Sequence, residues 1–192
     1  LVALILIGSL IQVTIVWFTG FHYSNGLYFC CGNTGDSLFH IALTNQIVKH
    51  FPPFQPGMLG VVIQNYHYWS NLVIAELIRV FGLPLIPAQF QYSTIFISIF
   101  LGLSALVFGQ IIKLSRAFIL WLIFFLYFGG DLIFILLFAV GKGLIFNMSS
   151  LEDGTKFLVN PPRAFSIVIF FVGISLLTLW IRRKNLHLGL LM

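Results

Sequence analysis

Asp36 and His40 stand four residues apart, a spacing that on a helix brings a carboxylate and an imidazole onto one face with their side chains in reach. A carboxylate so placed orients the ring, takes up a proton, or shares a metal ion with it. The same spacing also describes an aspartate helix cap followed by a solvated histidine. Tyr66-His67-Tyr68-Trp69 interleaves aromatic faces with polar tips. That pattern suits stacking on a sugar ring and equally suits the headgroup belt of a bilayer. Arg163 follows Asn160-Pro161-Pro162, a helix cap and first turn in sequence form. Its guanidinium therefore faces the positive end of a helix dipole, which is unfavourable unless an anion is present. A phosphate would supply one, held jointly by the arginine and the exposed amides; snorkelling to lipid headgroups is the plainer use of the same residue.

The other acids extend this set. A divalent metal built on Asp36, His40 and His67 is one arrangement these residues allow. Glu152 and Asp153 offer a second acidic contact to such an ion, or simply a solvated turn. Asp131 follows Gly129-Gly130 inside an apolar run, where a charge has to be buried, paired or protonated. Cys30 and Cys31 are adjacent, and neighbouring cysteines seldom bridge, so they define no disulfide framework.

The elements that must position these residues belong to a membrane protein. The chain is 59% hydrophobic and 8% charged, against roughly 25% charged residues in a soluble domain. The formal charge of +5 is modest and argues for no nucleic-acid partner. A membrane helix needs about 20 mostly apolar residues, and four segments approach that: 1–18, 92–112, 117–140 and 164–181. Between the first two lies a polar, aromatic loop, 19–91. Within it, 36–50 reads as an amphipathic helix ended by Pro52-Pro53. The apolar spacing at 69, 72, 73, 77, 80 and 81 predicts an interfacial helix over 67–81, with Glu76 and Arg79 on or near its polar side. Lys113 and Arg116 follow the second span, and Arg182, Arg183 and Lys184 follow the fourth. Two crossings separate these clusters, so they fall on one side. Positive charge makes that side cytoplasmic, which puts loops 19–91 and 141–163 outside a multi-pass protein of the cell membrane. The chain opens on one apolar run and closes, from Leu186, on the start of another. A single transmembrane domain over 1–192, cut from a longer protein, is the expectation.

In this order the pieces resemble the N-terminal part of a GT-C glycosyltransferase of the protein mannosyltransferase and aminoarabinose transferase-like group. The resemblance covers mainly residues 1–110. It rests on a first span, an acid near the start of the outer loop (Gly35-Asp36), a juxtamembrane helix, a proline-bearing link (Phe51-Pro52-Pro53), and an aromatic segment entering a short amphipathic helix (Tyr66-His67-Tyr68 to Phe81-Gly82) before the second span. It implies an all-α, polytopic helix bundle. It further implies a polyprenyl-phosphate-linked sugar as donor and a glycan, lipid or protein as acceptor, handled outside the cytoplasm. Asp36 matches the family's catalytic aspartate, with His40, Tyr66, His67, Tyr68 and Arg163 as substrate-binding residues. Many relatives carry two adjacent acids, whereas Ser37 follows Asp36 here. The competing classes are a transporter or channel fragment, for which Asp131 is the one supporting feature, and a non-catalytic membrane subunit.

Overall fold

The structure, a computed structural model, describes residues 1–29, 36–58, 60–129 and 161–183. Six helices account for most of them: α1 (Val2–Val16), α2 (Ser37–Lys49), α3 (Trp69–Phe81), α4 (Leu85–Ile111), α5 (Arg116–Phe128) and α6 (Pro161–Arg183). Helices α2 and α3 stand where periodicity predicts helices over 36–50 and 67–81. An all-α reading needs one correction. Phe21–Tyr23 (β1) pairs antiparallel with Gly26–Tyr28 (β2), with Phe21 opposite Tyr28. The turn runs through Ser24-Asn25 into Gly26, whose φ of 127° suits glycine, and Asn-Gly is a short-range hairpin signal.

Among the described residues two helices are long and apolar enough to cross a membrane, Leu85–Ile111 and Pro161–Arg182. The other two expected spans are shorter. α1 has 15 residues and α5 has 13, or about 20 Å each at 1.5 Å per residue. The helix within 117–140 stops because Gly129 is extended (φ −63°, ψ 121°); residues 130–140, with Asp131, lie outside the described residues.

α4 contains a π-helical segment, Ala88–Tyr92, just inside its N-terminus. Such segments break the i→i−4 ladder and are frequent at functional sites. Here it turns Gln89 and Gln91 inward. Gln91 Nε2 donates to the carbonyls of Trp17 and Thr19, both at 2.8 Å, which ties the end of α1 to the start of α4. α1 therefore runs antiparallel to α4, as does α5, whose Tyr127 hydroxyl donates to Ser98 O at 2.6 Å. At the opposite end the Arg182 guanidinium donates to Ile111 O, bringing the C-termini of α4 and α6 together. Lys113, Arg116 and Arg182 thus share one end of the bundle, as their spacing predicts. Lys184 lies outside the described residues.

The bundle interior is built from α1, α4, α5 and α6: Ile5, Leu101, Ala105, Ile119, Ile123, Tyr127 and Phe171 form one cluster, and Val13, Val16, Ile97 and Ala164 a second. Small residues let these helices approach closely. A methyl group on Gly8 or Gly102 would overlap Tyr127. Tyr127 is wholly buried, and its hydroxyl also meets Ser9 Oγ at 3.1 Å. Ser98 Oγ reaches Gln12 Oε1 at 3.2 Å. Outward faces are apolar, with Leu10, Phe100, Phe125 and Phe170 exposed.

α2 and α3 form a smaller cap over the acidic end, around Leu43, Ile47, Ile63 and Ala75. α3 is inverted relative to a helix with one face in water. Its buried face is Ser70, Asn71, Ile74 and Ala75, while Trp69 and Val80 are each 71% exposed and Phe81 67%. Arg79 is exposed on the side where its spacing puts it, and it is also bonded. Its guanidinium donates to the carbonyls of Ile47 and Val48 and pairs with Glu76. A cation is favoured there because those carbonyls are the orphans at the end of α2. Gly82, at φ 63°, closes α3 in the left-handed conformation.

Replacing Tyr127 with Phe removes its bonds to two helices and is expected to cost about 1 kcal/mol. Gly102→Val forces a branched side chain against the same ring and is expected to cost about 1–3 kcal/mol. Thermal unfolding in detergent should rank wild type above Tyr127→Phe above Gly102→Val; equal melting temperatures would contradict this packing.

Candidate functional site

Asp36 occupies the N-cap position of α2, where a carboxylate ordinarily accepts from the amides of the first turn. Its side chain makes no such bond; only its backbone carbonyl is engaged, by the His40 amide at 3.0 Å. The carboxylate is exposed, and its charge acts on Tyr66. Burial, and next the Asp36 charge, hold the Tyr66 phenol above its ordinary value of 10. Both causes disfavour the phenolate.

Tyr66 follows Asn65, which sits at φ 54°. Asparagine tolerates the left-handed region because its short polar side chain bonds locally. The turn delivers Tyr66 onto the cap core. Its ring meets Phe39 edge-on at 5.1 Å and stacks on His67 at 4.7 Å with planes 19° apart. Tyr68 turns away and meets Phe51 at 6.2 Å.

His67 in turn lines an open cleft of about 500 Å³ between the start of α3 and the start of α6. Trp69 and Ser70 stand on the α3 side; Pro162, Arg163 and Ser166 stand on the α6 side. Arg163 was expected at the outer start of the last span, and it does lie in the first turn of α6. The structure thus stacks Tyr66 on His67 and sets His67 and Arg163 along the same cleft, while Asp36 reaches Tyr66 through its charge.

His40 is placed differently from the expected carboxylate–imidazole pair. Its Nδ1 is 3.2 Å from Asn71 Oδ1. Asn71 Nδ2 reaches His40 O at 3.3 Å and Thr44 Oγ1 at 2.9 Å, and Thr44 Oγ1 donates to Gln89 Oε1 at 2.8 Å. This buried chain links α2, α3 and the π-helical segment of α4. With His40 turned to Asn71 and His67 stacked on Tyr66, the metal set of Asp36, His40 and His67 is not assembled. Among the described residues no three His, Cys, Asp or Glu side chains gather around one point. Glu152, Asp153 and Asn160 lie outside the described residues, as do Gly35, Cys30 and Cys31.

Asn71, Thr44 and Gln89 were not singled out from sequence. The available signal was polarity in the wrong place: Ser70-Asn71 in the first turn of a mostly apolar helix, and two glutamines, Gln89 and Gln91, at the mouth of the second apolar run.

If Asp36 sits beside the phenol, Asp36→Asn removes a charge that disfavours phenolate, and Tyr66 should titrate at lower pH. Burial remains, so the midpoint should stay above the ordinary tyrosine value. Ultraviolet titration, with Tyr66→Phe identifying the signal, reads this directly; an unmoved midpoint would mean the two groups are not neighbours.

Comparison with family models, with curated proteins and with solved structures returns no match to this chain.

Proposed function

We propose that the chain forms the substrate-handling part of a membrane glycosyltransferase, which moves a sugar from a polyprenyl-phosphate donor to a hydroxyl acceptor at the extracytoplasmic surface. The observation that carries this reading is the cleft between α3 and α6, where Arg163 at a helix N-terminus faces His67 beside the Asp36–Tyr66 pair. A lipid-linked sugar phosphate has three parts, and the cleft offers a match for each. The guanidinium and the first turn of α6 suit a phosphate. The aromatic wall of Trp69 and Phe165 suits a sugar face or the first units of the lipid. The inverted α3, with Trp69, Val80 and Phe81 outward, suits a helix lying in the bilayer interface, where a lipid-borne substrate arrives.

Asp36 is the proposed general base. As the acceptor oxygen bonds to the anomeric carbon, its proton passes to the carboxylate. The bond from that carbon to the phosphate oxygen breaks, and its electron pair leaves with polyprenyl phosphate. Arg163 stabilises the charge developing on that phosphate. Attack opposite the leaving group inverts the anomeric centre. His40, Tyr66, His67 and Tyr68 complete the proposed substrate-binding set.

In the intact protein, Asp36→Asn should lower the turnover of sugar transfer by about 10²–10⁴, the usual worth of a positioned base. Arg163→Gln should weaken the response to donor more than the response to acceptor. Wild-type turnover in Asp36→Asn would remove the base. Orientation has its own test in a background lacking Cys30 and Cys31. A cysteine at Met58 should react with an impermeant thiol reagent from outside, and one at Arg116 only after permeabilisation. The reverse pattern would put Asp36 in the cytoplasm.

A further inference from the structure

We infer that Asn71 is a positioning residue that fixes the tautomer of His40, so that the neutral ring carries its proton on Nδ1 and offers Nε2 as a hydrogen-bond acceptor for a substrate hydroxyl. The assignment follows from counting donors and acceptors. A backbone carbonyl only accepts, so the Asn71 atom 3.3 Å from His40 O has to be the amide nitrogen. The opposite orientation would set two carbonyl oxygens against each other inside a site where Asn71 has no exposed surface. The same nitrogen spends its second hydrogen on Thr44 Oγ1. Thr44 passes its own hydrogen to Gln89 Oε1. The remaining Asn71 atom is therefore Oδ1, an acceptor, and it faces His40 Nδ1 at 3.2 Å. Nδ1 has to be the donor. An imidazole whose Nδ1–H is held this way has its lone pair on Nε2 whenever the ring is neutral. Among the described residues Nε2 has no hydrogen-bond partner, and the ring is half-buried rather than enclosed.

Every member of the chain is needed to hold the sense of the bonds. Thr44 and Asn71 are fully buried and Gln89 is 5% exposed, so water is not at hand to replace any of them. Leaving a buried polar group unpaired costs about 1–3 kcal/mol, which penalises the other ring tautomer. Gln89 is brought to Thr44 by the π-helical segment. The backbone irregularity of α4 and the state of the His40 ring are thereby connected.

The tautomer stands on the hydrogen bonds alone. The role of Nε2 toward a hydroxyl rests on the proposed glycosyl transfer. Nitrogen-15 spectra of the intact chain in lipid nanodiscs, labelled at histidine and recorded at mildly alkaline pH, separate a protonated ring nitrogen from a bare one. His40→Gln identifies the signals. The expected result is a protonated Nδ1 and a bare Nε2 for His40 in the wild type. Asn71→Gln retains both the acceptor oxygen and the amide donor and should keep that pattern. Asn71→Leu should make the Nδ1–H form the minor one. A wild-type ring protonated on Nε2, or one unmoved by Asn71→Leu, overturns the inference. Should Asn71→Leu not fold, the wild-type spectrum still decides it. In transfer assays Asn71→Leu should lower kcat more than it raises the donor KM, and Asn71→Gln should restore kcat. A wild-type protein with the expected ring but no sugar transfer would remove the functional reading and leave the tautomer in place.

Discussion

Polar groups sealed inside an apolar scaffold have to satisfy one another, and in this chain that requirement fixes how the cap sits on the bundle. Asn71 has no exposed surface, and its side chain makes three hydrogen bonds, to His40 and Thr44 of α2. Thr44 then reaches Gln89 in the π-helical segment of α4. Two residues further along, Gln91 holds the carbonyls at the end of α1. Short apolar contacts are individually non-directional. These bonds are not, and they set the rotation of α3 against α2 and the height of both above the bundle.

The inverted polarity of α3 follows. With Ser70 and Asn71 committed to the interior, the apolar side chains at 69, 73, 80 and 81 have to point outward. The same rotation puts His67, Trp69 and Ser70 along the edge that faces α6. Arg79, at the far end of α3, closes the last turn of α2. The cleft is thus a consequence of how the cap is fastened. Asp36 stands at the start of α2, with its carboxylate unused for capping.

The sequence made part of this legible for physical reasons. Composition and run length exposed α4 and α6, since 27 and 22 residues of high hydropathy leave few alternatives. Proline at 52–53 and glycine at 82 marked the ends of α2 and α3. The basic clusters announced a shared end, and Arg182 on Ile111 O realises it. What was hidden depended on contacts distant in sequence. Periodicity put Arg79 on a polar face without revealing that α2 carbonyls waited there. Helical spacing joined His40 to Asp36, but a residue 31 positions away, Asn71, took the ring. The apolar pattern over 117–140 did not reveal that the helix from Arg116 ends at an extended Gly129, and the hairpin at 21–28 escaped notice beside so much helical signal.

The claim on which the rest turns is that the first turns of α3 and α6 form two walls of one cleft. Cysteines at Ser70 and Ser166, in a protein lacking Cys30 and Cys31, test it in native membranes with a short bifunctional thiol reagent. The account predicts efficient intramolecular cross-linking of that pair, and none between Ser70 and a cysteine at Arg182. Failure of the first pair to link while both sites react singly would contradict it.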